Sequence, residues 1–532
     1  MSRFPRSLLL VPALLAAGAV LGGLYGPVVP GVEAASSEDE IKASLKTFSE
    51  FYAVVEENFA EKISPDKAIY EGAIPGMLRA LDPHSSFFDP RAFQQLREEQ
   101  QGAYYGVGMW VVGRNGKTIV VTPFKNSPAY KAGIHPGDVI LEVDGKSTEG
   151  LTTTEVADLL KGPKGTKVHV KVGREGRPDP LEFTIIRDEI PRYSVNDAFF
   201  IRDGIAYLDI EQFNENTSRE VEERLRALGE ENIKGLILDL RDNPGGLLNE
   251  GVEVAGRFLK KGQIVVKHRG RTSPEKPYVA RRGNRGFEYP IVVLVNRYSA
   301  SAAEIVAGAL QDHDRAWILG ENTFGKGLVQ TVYPLAENTG LALTTARYYT
   351  PSGRLIQRSY KGKSFFDYYY RNRQGDPVPS DDVKMTDSGR PVYGGGGITP
   401  DEKFEPPKLN EFQRKLLRNY AFFNFTAKYF GTHSTDLPQG WEPGPDVENE
   451  FHRYLLDKGI EFTEAEWAEN HEWIRQQLKR EMYTTAFSVD DARRIAIETD
   501  PAVLKAIEAM PKAQALLERV KQVIARRAQR GE

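Results

Sequence analysis

The spacing of apolar residues predicts helical regions near both ends of the chain. From residue 38 to about residue 101, side chains such as Ile41, Leu45 and Phe48 recur at three- and four-residue intervals, which is typical of amphipathic helices. The same spacing returns after Pro406 and predicts a C-terminal helical extension, either an appendage or an oligomerisation arm. Its two predicted apolar faces are Phe412, Leu416, Leu417, Tyr420 and Phe423, and then Trp467, Trp473, Ile474 and Leu478.

Between these regions the pattern is that of strands. Short runs rich in Val, Ile and Thr, separated by Gly and Pro, lie between residues 108 and 186, with one helical pattern at Thr153–Leu160. Such runs indicate a compact β-rich module. After Pro191 strand and helix patterns alternate, which is typical of an α/β layer with parallel strands.

These patterns predict an α/β multidomain protein. It comprises an α/β core with a helical N-terminal region, an inserted β-rich module and a C-terminal helical extension. The predicted boundaries are 1–35 for an N-terminal leader, 36–102 for the helical region, 103–188 for the module, 189–405 for the core and 406–532 for the extension.

The amino-acid composition argues against several classes of function. The 532 residues carry a formal charge of −4, without the basic excess of a nucleic-acid-binding protein. Cysteine is absent, so disulfides, thiolate nucleophiles and cysteine-ligated metals are excluded. The sequence also lacks a His-Glu-x-x-His pattern, and we expect neither a metal nor another cofactor.

The first residues have the layout of an export signal. Arg3 and Arg6 precede an uncharged run from Ser7 to Val32, and Val32-Glu33-Ala34 offers a small-x-small cleavage site. This layout predicts a signal peptide. The run is also long enough to remain as a membrane anchor, and in either case the rest of the chain would be exported.

The module begins with glycines placed before a strand. In Tyr105-Gly106-Val107-Gly108 the glycines allow a backbone path that points several N–H groups at one anion. The terminal carboxylate of a peptide could dock there while its chain extends the sheet edge. The helix at Thr153–Leu160 would form the other wall, with Val156 or Leu159 facing the last side chain of the peptide.

This segment resembles a PDZ domain. The resemblance lies in the glycine loop, in Ser127-Pro128-Ala129, and in the run from Ala132 to Ile140, which reads AGIHPGDVI. It implies recognition of protein C-terminal tails.

The candidate nucleophile is Ser301, which lies between an apolar strand pattern and an apolar helix pattern. A serine at such a turn lies beside free backbone N–H groups at the helix N-terminus. The same position suits a serine that only caps the helix. Gly245 and Gly246, after another strand pattern, could point N–H groups at a developing oxyanion.

The candidate general base is Lys326. The run Gly320 to Lys326 resembles a phosphate-binding loop, but position 327 is Gly and a strand pattern follows, so nucleotide binding is not favoured. To act as a base, the lysine needs its pKa lowered from roughly 10.4 to about 7, which costs about 4.6 kcal/mol. Gln330 could orient the amine if the strand bends near Gly327.

Together these residues resemble the carboxyl-terminal processing peptidases, or tail-specific proteases. The resemblance spans about residues 40–405 and includes Leu81-Asp82-Pro83-His84-Ser85. It implies that Ser301 is the nucleophile, Lys326 the general base and Gln330 its positioning residue. Gly245, Gly246 and the N–H of Ala302 would form the oxyanion hole. The expected partners are protein substrates with exposed C-terminal tails, and the expected location is a bacterial periplasm or cell envelope.

Other functions stay open at this stage. His84 and His313 are conceivable partners of a serine in a Ser-His-Asp hydrolase, although no Gly-x-Ser-x-Gly surrounds Ser301. A catalytically silent PDZ scaffold or holdase would bind tails without cutting them. A homo-oligomer, an adaptor protein, and gating by the PDZ domain or the C-terminal helices are further options.

Overall fold

The computed structural model describes residues 38–64, 67–174, 176–370 and 382–530. The predicted leader at 1–35 lies outside these residues. The described residues up to Ile74 belong to a first compact unit. Within it, helix α1 (Glu38–Asn58) contains no buried residue, and a π-helical segment follows at Lys67–Ala73. None of the helices described is long and apolar enough to cross a membrane.

The second unit starts at Pro75, inside helix α2 (Ile74–Leu81). A short strand, β1 (Ser86–Phe88), and helix α3 (Pro90–Gln101) follow the turn at residues 82–85. Asp89 caps α3 by accepting a hydrogen bond from the N–H of Ala92 at 2.7 Å, and Pro90 opens the helix, a position that suits proline.

An inserted β module comes next, and its two ends meet. Strand β2 (Ala103–Gly106) pairs antiparallel with β9 (Asp188–Pro191), so the chain enters and leaves the module side by side. Val156 and Val168, both without exposed surface, belong to its own apolar core. Its remaining elements are β3 (Met109–Arg114), β4 (Lys117–Pro123), α4 (Pro128–Ala132), β5 (Val139–Val143), β6 (Lys146–Ser147), α5 (Thr153–Leu160), β7 (Lys167–Gly173) and β8 (Leu181–Ile186).

A six-stranded sheet forms the centre of the core, in the order β10-β11-β12-β15-β16-β21. Only β10 is antiparallel to its neighbour. Every residue of β12 and β15 is buried, because helices cover both faces of such a sheet. The strands are β10 (Ala198–Arg202), β11 (Ile205–Asp209), β12 (Gly235–Asp239), β15 (Ile291–Val295), β16 (Trp317–Gly320) and β21 (Glu402–Lys403), and the helices between them are α6 (Thr217–Ala227), α7 (Leu248–Phe258) and α8 (Ala302–Asp312). The predicted α/β core is therefore confirmed.

A second sheet brings the N-terminal strand to the core. Strand β1 pairs with β18, which also pairs with β13 and β17. The residues just before β1 are thereby held beside the segment that follows Lys326. This sheet contains β13 (Ile264–Arg269), β14 (Lys276–Val279), β17 (Leu328–Pro334) and β18 (Gly340–Tyr349), and helix α9 (Phe365–Tyr370) and the hairpin β19 (Val383–Met385) and β20 (Pro391–Tyr393) follow it in the chain.

The C-terminal extension is helical, as predicted, but its first apolar face was predicted wrongly. Phe412 is buried, whereas Tyr420 is 69% and Phe423 is 51% exposed. The helix breaks at Tyr420, which has a left-handed φ of 49°, so the three- and four-residue spacing does not continue through it. The helices are α10 (Glu411–Arg418), α11 (Ala421–Phe430), α12 (Pro445–Asp457), α13 (Glu464–Ala486), α14 (Val489–Glu498) and α15 (Pro501–Arg530).

Helix α15 is an integral part of the core. Its alanine-rich face, with Ala502, Ala506 and Ala509, packs against Ile237 and Leu294 of the six-stranded sheet. Small side chains let the helix approach the strands closely. The last helix of the extension is therefore packed on the core sheet.

Candidate active site

Ser301 occupies a strained position where strand β15 turns into helix α8. It is the residue before the helix, and its φ of 55° and ψ of −113° lie in a sparsely populated region for a residue other than glycine. Such strain persists only where the surroundings impose it, and it is frequent at functional sites. The Ser301 N–H donates to the buried carboxylate of Glu304 at 2.9 Å.

Lys326 lies just before strand β17, and its amine is held by the strand that follows. Its Nζ donates to Oε1 of Gln330 at 2.8 Å, and Gln330 in turn donates through Nε2 to the carbonyl of His84. The register of β17 on β18 shifts between Val329 and Gln330. A bulge of this kind redirects a side chain, and it lies two residues beyond the bend predicted at Gly327.

Burial lowers the pKa of Lys326, while the charges of Glu304 and Asp82 oppose that shift. Burial dominates because removing an ammonium group from water disfavours its charged form. The carboxylate of Asp82 accepts from the N–H groups of His84 and Ser85 at 2.7 and 2.8 Å. The net effect of these surroundings is to shift the amine toward its neutral form.

Glu304 joins the serine to the lysine loop, and sequence reasoning did not assign it a role. It has no exposed surface. Its Oε2 accepts from the N–H groups of Ser301 at 2.9 Å and Lys326 at 2.8 Å, and its Oε1 accepts from the Thr323 hydroxyl at 2.5 Å and the Gly325 N–H at 2.6 Å. The only sequence signal was the Ser-x-x-Glu spacing of a helix cap.

Gly245 lies directly against Ser301. A Cβ at Gly245 would approach the Ser301 Cβ to 2.6 Å and the Ala302 nitrogen to 2.9 Å. The Gly245 N–H donates to Oδ1 of Asn243 at 2.8 Å. Gly246 lies opposite Phe213, and the residues on either side of Gly246 make the hydrogen bonds of this pair. The N–H of Gly246 itself therefore points to the other side of the backbone.

The N–H of Ala302 is the first of helix α8. Such a group has no partner within its own helix, and within the described residues no acceptor is recorded for it. Ala302 is fully buried beside Gly251. Within the part of the chain that the structure describes, the Gly246 and Ala302 amides have no hydrogen-bond acceptor, whereas that of Gly245 donates to Asn243.

A cavity of about 570 Å³ opens beside Lys326. Its wall is mostly apolar and aromatic, which suits an extended peptide with apolar side chains. It is lined by His84, Asp242, Pro244, Tyr298, Ala300, Phe324, Lys326 and Tyr369.

His84 is held neutral at the back of this cavity. The Tyr369 hydroxyl donates to the Pro83 carbonyl at 3.0 Å, so its 2.9 Å contact with His84 Nδ1 requires that nitrogen to be the donor. The Nε2 atom then accepts from Tyr368 at 2.9 Å. Burial, followed by the charge of Lys326, lowers the pKa of His84 to about 4.

Neither histidine is placed as the base of a Ser-His-Asp triad. Both ring nitrogens of His84 are engaged by tyrosines. His313 follows helix α8 at the end opposite Ser301, and twelve residues of helical rise separate the two by about 18 Å. Within the described residues, no group of three or more acidic or histidine side chains is arranged to hold a metal ion.

The predicted tail-binding residues lie in strand β2, in the loop before β3 and on helix α5, and Val156 is a core residue, contrary to the prediction that it could face a bound peptide. Tyr105 is 47% exposed, Gly106 ends β2, and Val107 is buried with its carbonyl accepting from Ala129. Gly108 has a φ of 75°. Strand β3 pairs with β4 alone among the described strands, which leaves its other edge open beside α5. On that helix Leu159 is half-buried, whereas Val156 has no exposed surface.

Comparisons with known proteins agree with this architecture. The family model "Peptidase family S41" matches residues 204–362, and "PDZ domain" matches residues 119–174. The fold and its matches therefore define a serine-type peptidase with a PDZ domain.

Relatives narrow the assignment. The "Carboxy-terminal-processing protease" of Bartonella bacilliformis is 40% identical over 60% of this chain and 74% of its own. The "Carboxy-terminal processing protease CtpB" of Bacillus subtilis is 32% identical over 65% of this chain and 75% of its own. The solved "Photosystem II D1 C-terminal processing protease" is 28% identical, with 69% and 88% coverage and a TM-score of 0.36. The two bacterial relatives show that the chain belongs to the carboxy-terminal processing protease family, as the sequence motifs predicted.

Proposed function

We propose that this protein is an exported serine endopeptidase that hydrolyses peptide bonds with a Ser301–Lys326 dyad. The neutral amine of Lys326 takes the proton of the Ser301 hydroxyl as Oγ attacks the carbonyl carbon of the peptide. The ammonium then gives that proton to the departing amine, which leaves an acyl-enzyme. Water attacks this ester with the same lysine as base, releasing the second product and restoring Ser301.

The observation that carries this proposal is the hydrogen bonding of Glu304. One of its oxygens accepts from the backbone N–H groups of both Ser301 and Lys326. Two residues that are 25 positions apart in the sequence are thereby held against the same carboxylate. A base and a nucleophile must be fixed relative to each other before proton transfer is efficient.

The oxyanion is best served by the N–H groups of Gly246 and Ala302. Gly245 contributes differently, because its N–H is taken by Asn243 and its lack of a side chain leaves room for Ser301. Donors that are fixed before the reaction stabilise the developing charge at little cost in reorganisation. Gln330 positions the amine of Lys326.

Recognition of C-terminal tails is proposed for the inserted module. The loop Tyr105 to Gly108 would bind the terminal carboxylate, and the tail would pair with the open edge of β3. Leu159 supplies surface for the last side chain. The match to a PDZ domain supports this proposal.

A cleavage assay that compares the parent with matched variants tests the proposed dyad. An unstructured protein with an apolar C-terminal tail is incubated with the chain from residue 36, with Ser301→Ala and with Lys326→Ala between pH 6 and 10. We expect cleavage by the parent only, rising with pH. Cleavage that survives in Ser301→Ala would refute the assigned nucleophile, and binding without any cleavage would favour a silent tail-binding scaffold.

Tail recognition has a separate test. Binding to Ser301→Ala is measured for one peptide carrying either a free C-terminal carboxylate or an amide in its place. We expect the amide to bind at least about tenfold more weakly, because it loses the charge-assisted hydrogen bonds. Equal binding of the two peptides would refute carboxylate recognition.

A further inference from the structure

An arginine ties the C-terminal extension to the loop that bears Gly246. Arg241 is the second residue after the end of strand β12, and its side chain makes hydrogen bonds to two different carboxylates. Its Nε and Nη2 donate to Asp239 at 3.0 and 2.6 Å, and its Nη1 donates to both oxygens of Asp500 at 3.2 and 2.9 Å. The Arg241 side chain is 19% exposed, so solvent screens these pairs only weakly.

Asp500 is itself firmly placed. It precedes helix α15, and its Oδ1 accepts from the N–H of Ala502 at 2.7 Å. Beyond this cap, the buried face of α15 packs on strands β12, β15 and β16. The carboxylate therefore meets Arg241 from a position that the core already fixes.

The loop after Arg241 reaches the nucleophile within a few residues. The Asn243 carbonyl accepts from the Ala300 N–H at 2.9 Å, and Gly245 lies against the Ser301 Cβ. Gly246 follows with an N–H that faces away from Phe213. A shift at the start of this loop would move the oxyanion donor relative to Ser301, and small displacements of such donors reduce the rate strongly.

We propose that Asp500 is a positioning residue for peptide hydrolysis, acting through Arg241 on the loop that presents the Gly246 N–H. The inference rests on the proposed function of Ser301 and Gly246. It gives residues 500–530 of the C-terminal extension a part in the chemistry, although they lie outside both matched family models.

Asp500→Asn is the informative substitution. Asparagine caps helices about as well as aspartate, so α15 should remain in place while the charged, two-oxygen contact with Arg241 is lost. We expect kcat to fall roughly 10- to 100-fold, with KM and the melting temperature nearly unchanged. The matched control is Lys512→Met, which breaks another ion pair of the same helix, that with Glu402 at 2.7 Å, away from the loop.

A double-mutant cycle decides between positioning and general support. In an Arg241→Lys background the forked contact is already absent, so Asp500→Asn should lower kcat by less than about twofold. An equal loss of kcat in both backgrounds would overturn the proposal, as would an unchanged kcat in Asp500→Asn or an equal effect of Lys512→Met. Cleavage that survives in Ser301→Ala would instead refute the proposed function itself, which keeps the two failures distinct.

Discussion

The substitution Glu304→Gln removes one acceptor while keeping the shape of a fully buried side chain. The carboxylate serves four donors, two on each oxygen. The amide keeps one acceptor oxygen and turns an NH2 group toward the other two donors. The Thr323 hydroxyl can turn to accept from this NH2 group, but a backbone N–H cannot, so at least one buried donor loses its acceptor. Each such loss costs about 1–3 kcal/mol, so the site would be destabilised by roughly 1–6 kcal/mol.

This loss should be visible locally and in the rate. Hydrogen exchange measured by mass spectrometry should show faster exchange in a peptide covering Gly325 and Lys326 or in one covering Ser301, by about tenfold or more. We expect kcat to fall by at least about 100-fold, because Ser301 and Lys326 lose their common anchor. Removing the Glu304 charge also lowers the pKa of Lys326 further, so the residual activity should rise at lower pH than in the parent.

Glu220→Gln is the matched control. Glu220 is also buried, but one oxygen accepts from both Ser194 and Val195, at 2.7 and 3.0 Å, and a glutamine oxygen can do the same. It should cost about 1 kcal/mol or less and leave kcat unchanged. The reasoning is refuted if Glu304→Gln keeps the parent's kcat and exchange pattern, or if Glu220→Gln loses as much.

Three further outcomes follow from the same geometry. Lys326→Met should raise the melting temperature at pH 7, since each unit by which the pKa of the lysine in the folded state lies below its unfolded value costs about 1.4 kcal/mol of stability. The parent regains this stability as the pH rises through the folded pKa of the lysine. The difference in melting temperature between parent and variant should therefore close toward pH 10. Gly245→Ala should abolish cleavage, because its Cβ would lie 2.6 Å from that of Ser301 at a φ of 98°, whereas Gly262→Ala, at a φ of 89° with open space around it, should retain full kcat in the same assay. Gln330→Glu places a negative charge beside the Lys326 amine, which should move the pH at which cleavage rises upward by about 1–3 units. An unmoved pH profile would show that Lys326 does not set the pH dependence of cleavage.

The elements of the core could be predicted because their patterns are local. The five-residue apolar strands β12 and β15 and the helices after them lie in the region after Pro191 where strand and helix patterns alternate in the sequence. The proximity of Lys326 and Gln330 could also be anticipated. The bulge that permits it lies between Val329 and Gln330, and no residue type in that stretch announces it.

What escaped prediction depends on contacts between distant segments. Glu304 is recognisable as a helix-cap glutamate, but three of its four donors come from residues 323–326. His84 supplies a backbone carbonyl to Gln330, a role that its side chain does not reveal. Helix α15 shows an alanine face without indicating which sheet it covers.

The electrostatics of the site explain how a lysine between two buried acids can serve as a base. Asp82 and Glu304 both raise the pKa of Lys326, yet burial prevails. Backbone N–H and hydroxyl donors occupy both carboxylates, and for Glu304 they oppose the rise in pKa that burial causes. The amine instead donates to the neutral oxygen of Gln330, and the neutral His84 lines the same cavity. The two acids therefore hold the backbone in place, while the hydrogen-bond partner of the proposed base carries no charge.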